Sequence, residues 1–539
     1  MNLQGKFFYT AIALLCCILF DARGQKPYNI LWITVEDMSP HLGCYGDFTV
    51  ETPNIDRLAS QGERFTNVYG TYGVCSPNRH TLITGMYPTS TGAMAMRTWR
   101  RTASIDKITD PALLSIPVYE ATPPVGVKCF TEYLRAAGYY CTNNVKTDYQ
   151  FRDVITAWDE SSKTAHWRNR PDKETPFFAV FNNEVTHESG TFTRRSPVVT
   201  DRTKIVVPPY YPDTDAVRED MGRHYDNIYA MDKWVGEILK QLENDHLLEK
   251  TIIFFFSDHG DGLPRAKRWV YDSGIKVPLI IRWPGGSGTI NNELISFVDF
   301  PPTVLSLAGI APPKYMEGQI FAGENHAEPR HYIYAFRDRM DPAPETIRAV
   351  RDKRFKYVRN YRPELPYIGN IPYRDQAAMM QEINAMIEAG KLGPDQWQFW
   401  AKQKPIEELY DTEVDPHEIH NLASMPQYMD KLDELRQAQL DFVNRFGDLG
   451  MIPETALIKK LWPPDGIQPT TASPEIIWTE KSVELITTTE GASIAYRWSG
   501  DKNWRLYNAP LKPGRNKSIE SVAVRIGWKP SEAATKRIE

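Results

Sequence analysis

The segment Cys75-Ser76-Pro77-Asn78-Arg79-His80-Thr81-Leu82-Ile83-Thr84-Gly85 spaces a thiol, a guanidinium and a glycine in a way that suits an anion site. Pro77 fits the first helical position and Gly85 fits the helix end, since proline lacks only an N–H that would go unbonded there and glycine tolerates a left-handed cap. That reading puts Cys75 at a helix N-terminus, where free N–H groups and the macrodipole favour negative charge. Arg79, one turn along, adds a guanidinium able to grip an oxyanion with two parallel bonds. Two further pairs carry charge of the opposite sign. Glu36-Asp37 follow the apolar run Tyr28–Val35, and Asp258-His259 follow Thr251–Phe256. Each alone is what a turn or helix cap requires. Four such groups at the ends of two buried strands are well sited for one hard divalent cation.

The elements that must hold these residues are readable as a pattern. Continuous apolar runs at Tyr28–Val35, Pro176–Phe181, Thr251–Phe256 and Val277–Arg282 are typical of strands buried on both faces of a parallel sheet. Helical periodicity lies between them at Asn54–Gln61, Phe130–Ala137 and Val217–Leu248. The alternation predicts an α/β fold with a large, mostly parallel sheet flanked by helices, and such sheets bind ligands at the carboxyl ends of their strands. From Ile347 the pattern changes to a basic and apolar hairpin turning at Asp352-Lys353, followed by a charged helix at Met425–Phe446. This predicts a smaller α+β subdomain with an antiparallel sheet. Beyond Pro463-Pro464-Asp465-Gly466, short alternating segments predict a β-sandwich-like module resembling the chitobiase-type modules of carbohydrate-active enzymes. The predicted organisation is therefore a leader at 1–24, a catalytic α/β domain at 25–345, the α+β subdomain at 346–462 and the accessory module at 463–539.

Composition narrows the partners. The 539 residues carry 63 Lys and Arg against 68 Asp and Glu, a net charge of −5, which argues against a nucleic-acid binder. Lys6, the apolar stretch Phe7–Phe20 and Ala22-Arg23-Gly24 form a secretory signal with cleavage before Gln25. The mature chain is expected to be periplasmic or secreted, with no membrane span, and lipid anchoring through Cys16 or Cys17 is a minor alternative. Four cysteines remain in it, Cys44, Cys75, Cys129 and Cys141. They are too few for a disulfide framework, although Cys129 and Cys141 could pair.

The Cys75-x-Pro77-x-Arg79 core with Thr84-Gly85 resembles the signature of the type I sulfatases, members of the alkaline phosphatase superfamily. The resemblance extends over about Tyr28–Ala423 and is strongest to the sulfamidase (heparan N-sulfatase) branch, through SDHGDGLPRAKRWVYDSG, IYAFRDRM and ELYDTEVDPHEIHNLA. It implies that a formylglycine-generating or sulfatase-maturating enzyme oxidises Cys75 to formylglycine, whose hydrated aldehyde is the nucleophile. It implies a cation held by Glu36, Asp37, Asp258 and His259 beside residue 75, with Ca2+ favoured over Mg2+. By the same resemblance His187 is the leaving-group acid, Arg79 and Lys146 are catalytic cations, and Lys267 (with Arg268 as competitor) binds sulfate. This chain has Asn78 where the family has Ser or Ala, and Asp148 where it has a histidine. The role of Asp148 stays open between a base and a group that orients Lys146.

The implied substrate is a sulfated carbohydrate. His80, Trp269, Arg337, Asp338 and Arg339 are candidates to contact it, since arginines suit sulfates or carboxylates and aromatic faces suit sugar rings. Structural pairing and packing are equally good uses of the same residues. Two other readings share the motifs: a phosphodiesterase or phosphonate hydrolase of the same superfamily, and a non-catalytic descendant that binds sulfated glycans.

Overall fold

The computed structural model describes residues 27–98, 111–193, 196–340, 342–514 and 517–538. The leader predicted at 1–24 lies outside the described residues. The largest sheet has eight strands: β1 (Asn29–Val35), β2 (Glu63–Tyr69), β3 (Tyr140–Asn144), β4 (Glu160–Ser161), β5 (Phe177–Asn183), β6 (Thr251–Ser257), β7 (Leu279–Arg282) and β8 (Thr289–Ser296). Their order is β4-β3-β5-β1-β6-β7-β2-β8. All neighbouring pairs are parallel except the two made by β7, which runs against β6 and β2.

The apolar runs form its centre because helices cover both faces. Every residue of β1 and β6 is buried. On one face Trp32 packs edge-on to Phe178 and Phe256, each 5.2 Å away, and Phe130 and Phe300 close the cluster. Aromatic pairs of this kind contribute about 0.5–1.5 kcal/mol beyond the area they bury. The long helix Asp215–Asn244 lies over the other face through Ile228, Met231, Val235 and Leu242. β2, β3 and β8 carry polar residues and lack the apolar run that marks the others, so the sequence pattern passed them over.

Register decides where chemistry can gather. Val35 is level with both Asn183 of β5 and Ser257 of β6. The loops carrying Glu36-Asp37, Thr186-His187-Glu188 and Asp258-His259 therefore leave the sheet at one height, side by side.

Three smaller sheets follow. The predicted hairpin is present as β10 (Ile347–Arg351) and β11 (Phe355–Asn360), flanked by β9 (Ile333–Arg337) and β12 (Glu407–Asp411) in one antiparallel sheet that packs on the helix Met429–Phe446. Towards the C-terminus, β13 (Glu475–Trp478) pairs with β14 (Val483–Ile486). A four-stranded sheet holds β15 (Ser493–Trp498), β16 (Arg505–Tyr507), β17 (Ser518–Val524) and β18 (Ala534–Arg537). The two share a small core of Ile476, Leu485, Ile494 and Ile519.

Candidate active site

The helix Cys75–Thr84 is buried along its whole length and ends at Gly85, whose φ of 71° is the left-handed cap expected of it. It starts at Cys75, two residues before Pro77, so the proline sits inside the first turn, where its missing N–H still costs no helical bond. Cys75 thus stands at the N-terminus, facing the exits of β1 and β6.

The four predicted cation ligands meet there. Ligand atoms of Asp37, Cys75, Asp258 and His259 lie within 4.8 Å of one another, as do those of Glu36, Asp37, Cys75 and His187. His259 Nε2 is 2.9 Å from Asp37 Oδ1 and 3.3 Å from the Cys75 sulfur. Its Nδ1 is 2.8 Å from the Gly260 carbonyl, so Nδ1 carries a proton and Nε2 is the atom turned towards the acids. Asp37 has φ 51°, a sparsely populated conformation of the kind that clusters at functional sites. Its loop is pinned by Asp37 N donating to Asp258 Oδ1 at 3.2 Å. Asp258 Oδ2 is buried without a hydrogen-bond donor; Arg79 Nε is 3.4 Å away. An orphaned carboxylate oxygen among buried acids fits an oxygen-seeking cation.

Basic side chains surround these acids. Lys146 Nζ reaches Glu36 Oε2 at 2.6 Å, and Arg79 Nη2 reaches Glu36 Oε1 at 2.9 Å. Lys267 Nζ reaches Asp37 Oδ2 at 2.6 Å and Glu188 at 3.1 Å. Burial works against ionisation of Glu36, but Lys146 and Arg79 outweigh it and hold the carboxyl at about 2. Asp37 is likewise desolvated and yet kept well below the usual carboxylate range by Lys267, His187 and His259. For the Cys75 thiol, burial and Asp258 push up, while Lys267, Lys146 and His259 together pull it below its ordinary value. His187 is lowered by burial and Lys267 but raised further by Asp37, the Cys75 contact and Glu36, so its net shift is upward. Its Nδ1 is 2.8 Å from Ser189 Oγ.

Asn78 and Asp148 each have a definite place. The Asn78 side chain accepts from Tyr72 N at 2.9 Å and from Thr71 Oγ1 at 3.0 Å, and donates to the Asp258 carbonyl at 2.8 Å. It ties the cysteine loop to the exit of β6. Asp148, with φ 52°, accepts from Ser76 Oγ at both its carbonyl (2.9 Å) and its carboxylate (3.0 Å). It stands next to the nucleophile position, and its charge also raises Lys146.

The candidate substrate contacts divide differently. Arg268, at φ 76°, makes two bonds to Glu188 of 2.9 and 2.7 Å, one shell behind Lys267. His80 is fully buried between the Tyr149 carbonyl and Thr91 Oγ1, and burial lowers it to about 4. Trp269 packs on Phe399 and carries the Arg337 guanidinium 3.7 Å above its ring. Asp338 pairs with Arg348 and Tyr72, and Arg339 pairs with Glu454. None of these six lines the cavity beside Cys75; each is taken up by packing or by a polar or charged partner. Cys129 and Cys141 are separate buried thiols, with no disulfide between them.

That cavity, of about 470 Å3, opens over Glu36, Lys146, Asp148 and His187 and is bounded further out by Arg97, Asp153 and Glu184. Glu188, Asn182 (which accepts from Arg79 Nη1 at 2.9 Å) and Arg97 carried no motif and were missed. Adjacency to His187 was the one available signal for Glu188.

A mostly parallel sheet whose strand exits gather Glu36, Asp37, Asp258 and Glu188 with Lys146, Arg79, Lys267 and His187 beside a cysteine at the first position of a helix is a candidate centre for hydrolysing an anionic ester. Comparison with known proteins agrees. The Sulfatase family model matches residues 28–310, and a model described as N-sulphoglucosamine sulphohydrolase, C-terminal, matches residues 264–368. An "Ulvan-active sulfatase" of Formosa agariphila is 45% identical, over 94% of this chain and 91% of that protein. The N-sulphoglucosamine sulphohydrolase of Homo sapiens is 24% identical, over 78% and 91% respectively. A solved structure in complex with its substrate D-glucosamine-2-N,6-O-disulfate matches with a TM-score of 0.56 at 17% identity, over 78% of this chain and 98% of that one; at that identity it speaks for the fold alone. The chain belongs to the sulfatase family and is a sulfuric ester hydrolase.

Proposed function

We propose that the enzyme removes a sulfate group from a sugar residue of a sulfated polysaccharide outside the cytoplasm, using a formylglycine made from Cys75 and a Ca2+ ion. The observation that carries this reading is the cluster of Asp37, Asp258, His259 and Glu36 around the sulfur of Cys75. Among possible polymers, ulvan is favoured by the 45% identical relative. A sulfamate as the scissile group is a second reading, favoured by the family match over residues 264–368. Among the described residues no helix is long and apolar enough to cross a membrane.

Glu36, Asp37, Asp258 and His259 would hold the cation, which when bound polarises a sulfate oxygen as a Lewis acid. The hydrated aldehyde derived from Cys75 would supply the nucleophilic oxygen. The remaining work falls to the chain's own groups. Lys146, Lys267 and Arg79 stand fixed and desolvated around the sulfur position, where preoriented positive charge stabilises a crowded sulfuryl group without reorganising. His187 lines the open side of the cavity. Its pKa is raised above the ordinary histidine value, which favours the protonated form that a donor to the departing sugar oxygen needs. Ser189 orients the ring through Nδ1, so the proton is delivered from Nε2. Asp148 sits beside residue 75 as the group able to take a proton back from it.

Sulfate release from defined fragments of ulvan, heparan sulfate and chondroitin sulfate tests the proposal. The wild type releases sulfate from at least one of them, and Cys75→Ala, with an unchanged circular dichroism spectrum, releases none. Turnover by Cys75→Ala would end the mechanism.

A further inference from the structure

A second groove of about 440 Å3 adjoins the catalytic cavity. The two share Thr147, Tyr149 and Asp153 as a common wall. The far side of the groove comes from the C-terminal module: Lys502, Asn503 and Trp504, on the turn between β15 and β16.

The turn is held at a defined position. Arg135 Nη2 donates to the Trp504 carbonyl at 3.1 Å while the same guanidinium grips Asp159 at 2.8 Å. Ser493 Oγ donates to Glu132 at 2.5 Å, and Asn508 Nδ2 to the Ala136 carbonyl at 3.2 Å. All three anchors come from the helix Phe130–Ala136. The linker side is closed by Trp462 Nε1 donating to the Gly527 carbonyl at 3.0 Å. The module is thus fastened to the rest of the chain both at the helix Phe130–Ala136 and at Trp462.

We propose that this turn completes the substrate cleft. Trp504 and Lys502 form a subsite for the neighbouring, anionic sugar residue of the same glycan whose sulfated residue occupies the catalytic cavity. The inference rests on the polysaccharide reading above. Arg497 lies 4.5 Å over one face of the Trp504 ring, and the residue is only half-buried, so indole surface is left for a pyranose to stack on. Lys502 and Asn503 are exposed at the rim. An ammonium suits the sulfate or carboxylate of a charged sugar, while the Asn503 amide and the Asp153 carboxylate suit its hydroxyls. Because the cavities share a wall, a chain seated in the first carries its next residue into the second. A single sugar does not reach it.

The test is a length series, from a sulfated monosaccharide of ulvan through its disaccharide to octasaccharide fragments, with wild type, Trp504→Ala and Lys502→Ala. In the wild type kcat/KM rises with length. Trp504→Ala removes that rise by increasing KM for the disaccharide and longer fragments about three- to tenfold, and leaves the monosaccharide unaffected. Lys502→Ala, at an exposed position that folding does not need, produces the same selective loss, weakening as salt is added. Equal length dependence in all three proteins, or none in the wild type, overturns the proposal. So does a loss in Trp504→Ala that is equal at every length and absent in Lys502→Ala. If the wild type turns over no fragment, the ulvan reading of the proposed function has failed and retardation in gels containing ulvan decides the subsite: loss of retardation in both variants upholds it, and unchanged retardation refutes it.

Discussion

Asn78→Ala is the substitution whose outcome the structure specifies most closely. Asn78 is fully buried, and its amide bridges the chain before Cys75 to the backbone of Asp258. Alanine leaves the Tyr72 N–H without an acceptor and deprives the Asp258 carbonyl of its donor. Thr71 Oγ1 keeps its 3.1 Å contact to Thr81 and loses less. An unsatisfied buried donor costs about 1–3 kcal/mol, and each further lost bond costs about 1 kcal/mol, so the total is about 3–4 kcal/mol. For a chain of this size that is a fall in Tm of about 3–4 °C. The same bridge sets the separation of the Cys75 helix from the β6 exit, so kcat is expected to fall at least tenfold while KM changes little. Scanning calorimetry gives the first quantity and sulfate release the second. Mass analysis of the Cys75 peptide separates loss of positioning from loss of maturation. A variant with full conversion to the aldehyde, wild-type Tm and wild-type kcat would refute the argument that this amide joins the two halves of the site.

Other outcomes follow from single features. Adding Ca2+ to chelated protein should raise Tm, by an amount equivalent to about 2.7 kcal/mol at a hundredfold excess over Kd; Asp258→Asn should abolish the response, and an undiminished response would place the ion elsewhere. Trp269→Ala should cost about 3–5 kcal/mol of stability with KM unchanged among the molecules that fold, because the ring packs under Arg337 and away from the cavity; a raised KM at constant Tm would reverse that assignment. Glu317 is pushed up to about 7 by burial, which exceeds the relief from its contacts with Tyr87 and Ser90. A carboxyl raised in the folded state costs stability as pH climbs from its unfolded value near 4.5 towards 7, by at most about 3 kcal/mol. Glu317→Gln should therefore flatten the decline in Tm between pH 5 and pH 8, and an identical pH profile would count against it.

The motif residues and the buried strands were legible because local composition alone defines them. An apolar run such as TIIFFFS has few uses other than the middle of a covered sheet, and an acidic pair directly after it has to emerge at the strand's carboxyl end. The helix at Cys75, the long helix over the sheet and the hairpin at Asp352 could be read in the same way. The polar strands β2, β3 and β8 could not, since their place comes from neighbours that hydrogen-bond them and not from their own side chains.

The substrate candidates mark a second boundary. Arg337, Asp338, Arg339, His80 and Trp269 have the right chemistry for a charged sugar, and nothing in their order along the chain reveals that Glu454, Arg348, Thr91 and Phe399 already engage them. Chain order shows what a side chain is able to do, because that depends on covalent chemistry and nearest neighbours. Whether it is free to do so depends on partners ten to more than a hundred residues away, placed by the packing of whole elements, just as the level register of β1, β5 and β6 gathers the loops at their exits. That convergence brings Glu36, Cys75, His187 and Asp258 together, while Arg135 holds Trp504 of a distant module at the groove adjoining their cavity.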